Sequence, residues 1–103
     1  MVLNHTIVPA RDAEASARFF ADIFGVRYDG PAGSFVAVQV NDDLTFDYSQ
    51  TDHVEWHHYA FHVSEQEFDE IFGRVAAAGV PYGSGPHSLT DGQINHRLGG
   101  RGV

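Results

Sequence analysis

Two stretches of this chain carry one pattern in one order, and that repetition limits the fold more than any other feature. Leu3-Asn4-His5-Thr6-Ile7-Val8 aligns with Trp56-His57-His58-Tyr59-Ala60-Phe61, a displacement of 53 residues from His5 to His58. Each copy then runs into a helix. In the first, Asp12 caps a helix with Phe20, Ile23 and Phe24 on one face, and Gly25 stops it. In the second, Ser64 and Glu67 form a capping box ahead of Phe68, Ile71, Phe72 and Val75, with Gly79 as the stop. The exits match as well, Gly25-Val26-Arg27-Tyr28 against Gly79-Val80-Pro81-Tyr82. A recurring strand, helix and stop means that one supersecondary unit has been used twice.

The first exit leads to two β-rich runs, Phe35 to Val40 and Leu44 to Tyr48, joined by Asn41-Asp42-Asp43. This reads as a hairpin with a polar turn and makes the first module β-α-β-β-β. Val36, Val38, Val40, Leu44, Phe46 and Tyr48 share one parity and form the apolar face for a helix. The opposite parity, with Phe35, Ala37, Gln39, Thr45 and Asp47, is more polar and suits a ligand cleft. The second copy is less regular. From Gly83 to Gly100 the chain is rich in glycine and polar residues and reads as a long loop with at most a short strand near Ile94. The expected class is therefore α+β, one domain over residues 1–103, with module one at about 1–50 and module two at about 55–103. The second module is expected to end without its last hairpin.

Composition narrows the partners. Fourteen acidic against six basic side chains give a formal charge of −8, which repels phosphate backbones and anionic lipid headgroups. We expect neither nucleic acid nor membrane as a partner. With no cysteine, any metal must be held by nitrogen and oxygen ligands. The opening residues carry no secretory pattern, so a cytoplasmic location is the expectation.

Seven histidines, at 5, 53, 57, 58, 62, 87 and 96, are dense for 103 residues. Alternation across residues 56 to 63 puts Tyr59, Phe61 and Val63 on the helix side of an expected strand, and Trp56, His58, Ala60 and His62 on the cleft side. The repeat sets His5 at the point in module one that His58 holds in module two. Two imidazoles on equivalent strands would converge as a chelate requires. Either residue alone reads more simply as an ordinary strand or surface histidine; the repeat is what favours a site. Trp56, His62, Thr45, Asp47 and Arg97 are the candidate substrate contacts, each with a plainer reading as cleft lining or solvated surface. Asp47 could also add a carboxylate to the metal. Arg101, in the same glycine-rich stretch as Arg97, could meet an anionic substrate, and a solvated loop charge is its plainer reading.

The L-N-H-T-I-V opening, the D-A-E-A-S-A-R-F-F-A-D-I-F-G helix and the H-H-Y-A-F-H-V segment resemble the vicinal-oxygen-chelate superfamily, which includes glyoxalases, fosfomycin- and bleomycin-resistance proteins and extradiol dioxygenases. The resemblance spans nearly the whole chain. It implies paired βαβββ modules cupped around a divalent ion (Mn, Fe, Ni or Zn), a homodimer, and His5 and His58 as metal ligands. It also implies a small-molecule substrate that chelates the metal through vicinal oxygens, in a lyase, thiol-transferase or dioxygenase reaction. The family's third ligand, a Glu on a final strand after a D-P-x-G-H-type turn, has no counterpart in this sequence. The chain is accordingly expected to be a shortened form or fragment, or to receive its last strands otherwise, with an open sheet edge that favours association. The alternatives to an enzyme are a metal-free antibiotic-binding protein, for which Trp56, Phe35 and the acidic surface would serve, and an inactive shortened member.

Overall fold

Asp12 starts the first helix as its sequence position demands. Its backbone is extended and its carboxylate accepts from the Ala15 amide at 3.0 Å, satisfying one of the free donors at a helix start. Helix α1 runs Ala13–Phe24, and Gly25, at φ 66°, turns the chain out in the left-handed conformation that side chains resist. The structure, a computed structural model, describes all residues from 1 to 103. Around α1 lie strands β1 (His5–Ala10), β2 (Arg27–Ala32), β3 (Phe35–Gln39) and β4 (Thr45–Gln50), the full β-α-β-β-β order of the first module. They form one mixed sheet in the order β1-β4-β3-β2, with β1 parallel to β4 and the other pairs antiparallel.

The helix sits on the face that parity assigned to it. Val38, Phe46 and Tyr48 are buried there, and Phe20 lies 5.3 Å from Phe46 and 6.3 Å from Tyr48 between ring centroids. The helix residues that are themselves buried are chiefly Ala13, Ala17 and Ala21, one residue per turn, with Ile23. Phe20 and Phe24, expected as the apolar face, are half-buried and stack on each other at 4.4 Å. A line of methyl groups lets a helix lie close to a sheet, and the rings close the side of the contact. Gln50 fixes the helix start from the end of β4. Its side-chain oxygen accepts from the Ala13 amide at 2.8 Å and its amide donates to the Arg11 carbonyl.

The chain divides into two compact units, Met1–His57 and His58–Val103. The second contains α2 (Glu65–Ala77) and a 3-10 turn at Arg97–Gly99. The capping box at Ser64 and Glu67 is present in both directions, each bond 3.1 Å. At the other end Gly79, at φ 68°, donates to the Ala76 carbonyl and Val80 to that of Val75, the paired bonds of a Schellman motif. Phe68, Ile71, Phe72 and Val75 are half-buried along one face, as their spacing predicted, and Phe72 meets Tyr82 edge-on at 5.0 Å.

The expected strand at residues 56 to 63 does not form. A strand exists only through hydrogen bonds to a neighbour, and no strand of the chain pairs with this segment. The expected burial alternation survives in part: Phe61 and Val63 are half-buried while His58, Ala60 and His62 are exposed. The glycine-rich stretch holds itself by isolated bridges, Gly85 with Ser88 and Asn95 with Gly102, in place of the short strand read near Ile94. Gly83 must be glycine, since a Cβ there would stand 1.7 Å from the Ser88 carbonyl oxygen. No helix is long and apolar enough to cross a membrane.

Truncation of Phe46, 2 % exposed, to alanine should cost about 3–5 kcal/mol in urea unfolding. Gln50→Ala, which frees the Ala13 amide without opening a core cavity, should cost only about 1 kcal/mol.

Candidate functional site

The face of the sheet away from α1 is ordered in rows by the strand register. His5 of β1 pairs with Thr45 of β4, which pairs with Gln39 of β3, so these three side chains cross the sheet side by side. Along the strands the next row is Ile7, Asp47 and Ala37, and the third is Pro9, Ser49 and Phe35. Successive rows lie roughly 6–7 Å apart, so the three occupy the footprint of a small molecule. Ile7 is 52 % exposed, and this face is not closed over it. Thr45 and Asp47, both sequence candidates, are thus brought into the same patch as His5.

The β3–β4 turn sets the first row. Gln39 donates from its amide to the Asn41 carbonyl at 2.5 Å and to that of Leu44 at 3.4 Å, and its oxygen accepts from the Thr45 hydroxyl at 3.1 Å. Asn41 in turn accepts from the Asp43 and Leu44 amides, each at 2.9 Å, which locks the turn. A threonine whose proton is committed in this way offers its lone pairs outward as acceptors. His5 is exposed at the first position of β1, with Nδ1 2.8 Å from Asn4 Oδ1. Strand parity had set Gln39 on this face without marking it as a site residue. The signal was its place one row position from Thr45.

The remaining candidates lie in the segment that joins the units and in the second unit. Trp56 is 90 % exposed, and His58 and His62 are exposed in the segment that forms no strand. Arg97 is exposed at the 3-10 turn, with a guanidinium nitrogen 3.5 Å from where a Cβ on Gly85 would stand. Arg101, considered as a cation for an anionic substrate, is committed to α2. It binds Glu65 at 2.5 Å and Asp69 at 2.8 Å and lies 4.4 Å over the Phe68 ring. Those carboxylates raise its pKa and hold it in place. No three His, Asp or Glu side chains are gathered into a group that could hold a metal ion.

The loop that carries Arg97 is organised by Asp91. Its carboxylate accepts from the Ser84 hydroxyl at 2.6 Å, the Ser84 amide at 3.0 Å and the Gln93 amide at 2.9 Å. These bonds, the Ser84 hydroxyl foremost, hold its pKa below the ordinary aspartate value. Asn95 continues the set by donating to the Ser84 carbonyl at 2.9 Å and accepting from the Arg97 amide at 3.3 Å.

A βαβββ sheet with a helix on one face and an open, partly polar face on the other defines an α+β module. The family model of the Glyoxalase/Bleomycin resistance protein/Dioxygenase superfamily matches residues 2–97, and the chain belongs to that superfamily. Among solved structures, Oxidase ChaP-H2 is 45% identical with a TM-score of 0.91, over 98% of this chain and 80% of that one. Oxidase ChaP-H1 is 46% identical with a TM-score of 0.90, over 98% of this chain and 82% of that one. A possible glyoxalase from Bacillus cereus is 26% identical with a TM-score of 0.59, over 77% of this chain and 75% of that one. No curated protein matches the chain.

A carboxylate whose folded pKa is lowered stabilises the fold above its unfolded pKa and loses that contribution as pH falls through the folded value. Hydrogen-exchange protection of the Ser84 and Gln93 amides should therefore fall as pH drops below about 4. Once corrected for intrinsic exchange, Asp91→Asn should show weaker protection at neutral pH and little further change on acidification.

Proposed function

We propose that this chain acts as an oxidase-type member of its superfamily on a small molecule with adjacent oxygens, aided by a divalent metal. The observation that carries the reading is the 45% and 46% identity, over 98% of the chain, to two structures titled oxidases. The open face supports it. Ile7, Pro9 and Phe35 offer an apolar floor, while Thr45, with its acceptor lone pairs, and Asp47 can accept from substrate hydroxyl groups. Trp56 offers a ring to stack on, and His62 and Arg97 complete the proposed contacts.

The metal ligands proposed are His5 and His58. They fit in kind, as exposed imidazoles suited to manganese, iron, nickel or zinc, and fall short in number, since two imidazoles alone make a weak site and no group of three donors is formed. A bound ion would supply Lewis acidity toward the chelating oxygens. The chain's own part is to present His5 from the end of β1, orient Thr45 through Gln39, and accept substrate protons in hydrogen bonds at Asp47. We propose a homodimer as the assembly, which would give cover to exposed apolar side chains such as Val2, Leu3 and Leu98.

An ion that binds only the folded chain raises its unfolding temperature. Of Mn2+, Fe2+, Ni2+ and Zn2+, at least one should raise the melting midpoint at millimolar concentration and neutral pH. His5→Ala and His58→Ala should each remove most of the gain, while His53→Ala and His87→Ala should keep it. If all four ions leave the midpoint unmoved, the metal reading fails and the metal-free antibiotic-binding reading, or that of an inactive shortened member, takes its place.

A further inference from the structure

We infer that Asn4 is a positioning residue that fixes the tautomer of His5, so that the imidazole offers an unprotonated Nε2 to whatever occupies the open face. That His5 is a functional residue rests on the reading above; its tautomer is a separate property of the chain.

The geometry is local. Nδ1 of His5 and Oδ1 of Asn4 are 2.8 Å apart. A carboxamide oxygen only accepts, so the ring nitrogen that faces it carries the proton, and a neutral imidazole then has its lone pair at Nε2. The backbone of Asn4 is held in place. The Asn4 carbonyl accepts from the Thr45 amide at 2.9 Å, which ties Asn4 to β4 although it precedes the first residue of β1. Its position there also explains the bond. Neighbouring side chains within a strand point to opposite faces, and a residue just before the strand escapes that alternation.

The chemical consequence follows from the proton's place. An unconstrained neutral histidine side chain in water favours the proton on Nε2, which would turn an N–H donor outward. With Nδ1 protonated, Nε2 can coordinate an ion or accept a proton from a substrate hydroxyl, and the second nitrogen's hydrogen bond sets which atom does so. Next along the row, Thr45 has its own proton directed to Gln39. His5 and Thr45 thus both present lone pairs, a pattern that selects hydroxyl donors and cations and disfavours bare carbonyl or carboxylate oxygens.

The test is the tautomer itself, read on the metal-free full chain by two-bond proton–nitrogen correlation of the imidazoles, above the histidine titration range. His5→Gln identifies which of the seven ring patterns belongs to His5. The Nδ1–H form should predominate in the unsubstituted chain. Asn4→Asp, whose carboxylate also only accepts, should retain it, and Asn4→Ala should shift the majority to Nε2–H with the circular dichroism of the fold unchanged. A majority of Nε2–H in the unsubstituted chain would overturn the inference, since the Asn4 amide would then be donating to a bare Nδ1. So would a His5 pattern that Asn4→Ala leaves unmoved. Calorimetry with Zn2+ gives a separate readout, with apparent affinity falling several-fold in Asn4→Ala. The expected tautomers with no Zn2+ binding in any variant would uphold the role of Asn4 and count only against zinc as the ion.

Discussion

The close seating of α1 on the sheet is the contact on which the first unit depends. Ala13, Ala17 and Ala21 recur at every turn and are all buried, and opposite them the sheet presents Val38, Phe46 and Tyr48. Small residues on the helix let the larger side chains of β3 and β4 fill the space between, at the packing density that interiors require. Every buried apolar side chain lies between Ala10 and Tyr48. With period-2 alternation in β3 and β4, closing one face leaves the other to Thr45, Asp47 and Gln39. The site face is the complement of the core.

The second unit is held by a different kind of force. None of its residues is fully buried, and beside the half-buried face of Phe68, Ile71, Phe72 and Val75 its order comes from polar contacts: the capping box, Asp91 with Ser84 and Gln93, Asn95 with Ser84, and Arg101 across Glu65 and Asp69. Exposed ion pairs and hydrogen bonds contribute little each because water competes for the same groups. They can specify a conformation through geometry while adding only modest stability, and Gly83 contributes by allowing the backbone to close on Ser88.

Superfamily membership and likeness to oxidases set the chemistry to be expected, and the open face gives that expectation local content. Fold by itself does not choose a reaction; particular atoms do. His5 and Thr45 stand side by side with their protons directed to Asn4 and Gln39, which leaves lone pairs outward. That arrangement is coherent with a ligand that brings hydroxyl groups or a cation.

Much of this was legible in the sequence because the determinants are local. Asp12, Gly25, Ser64, Glu67 and Gly79 act through bonds within a few residues, so cap and stop could be read directly, and alternation fixed the faces of β3 and β4. Residues 56–63 show the limit. Their alternation is that of a strand, yet pairing needs a neighbour, and whether one is present is a property of the whole fold. The alanine stripe was visible as letters but not as the buried face, since Phe20 and Phe24 carry more apolar surface and only the distance to the sheet favours methyl groups. The row of His5, Thr45 and Gln39 was decided by register, which aligns residues 5, 39 and 45 across three strands. By sequence Arg101 is a loop cation, either solvated or open to an anionic substrate, and tertiary structure gives it instead to two carboxylates of α2, because attraction follows distance in space and the sequence records only distance along the chain.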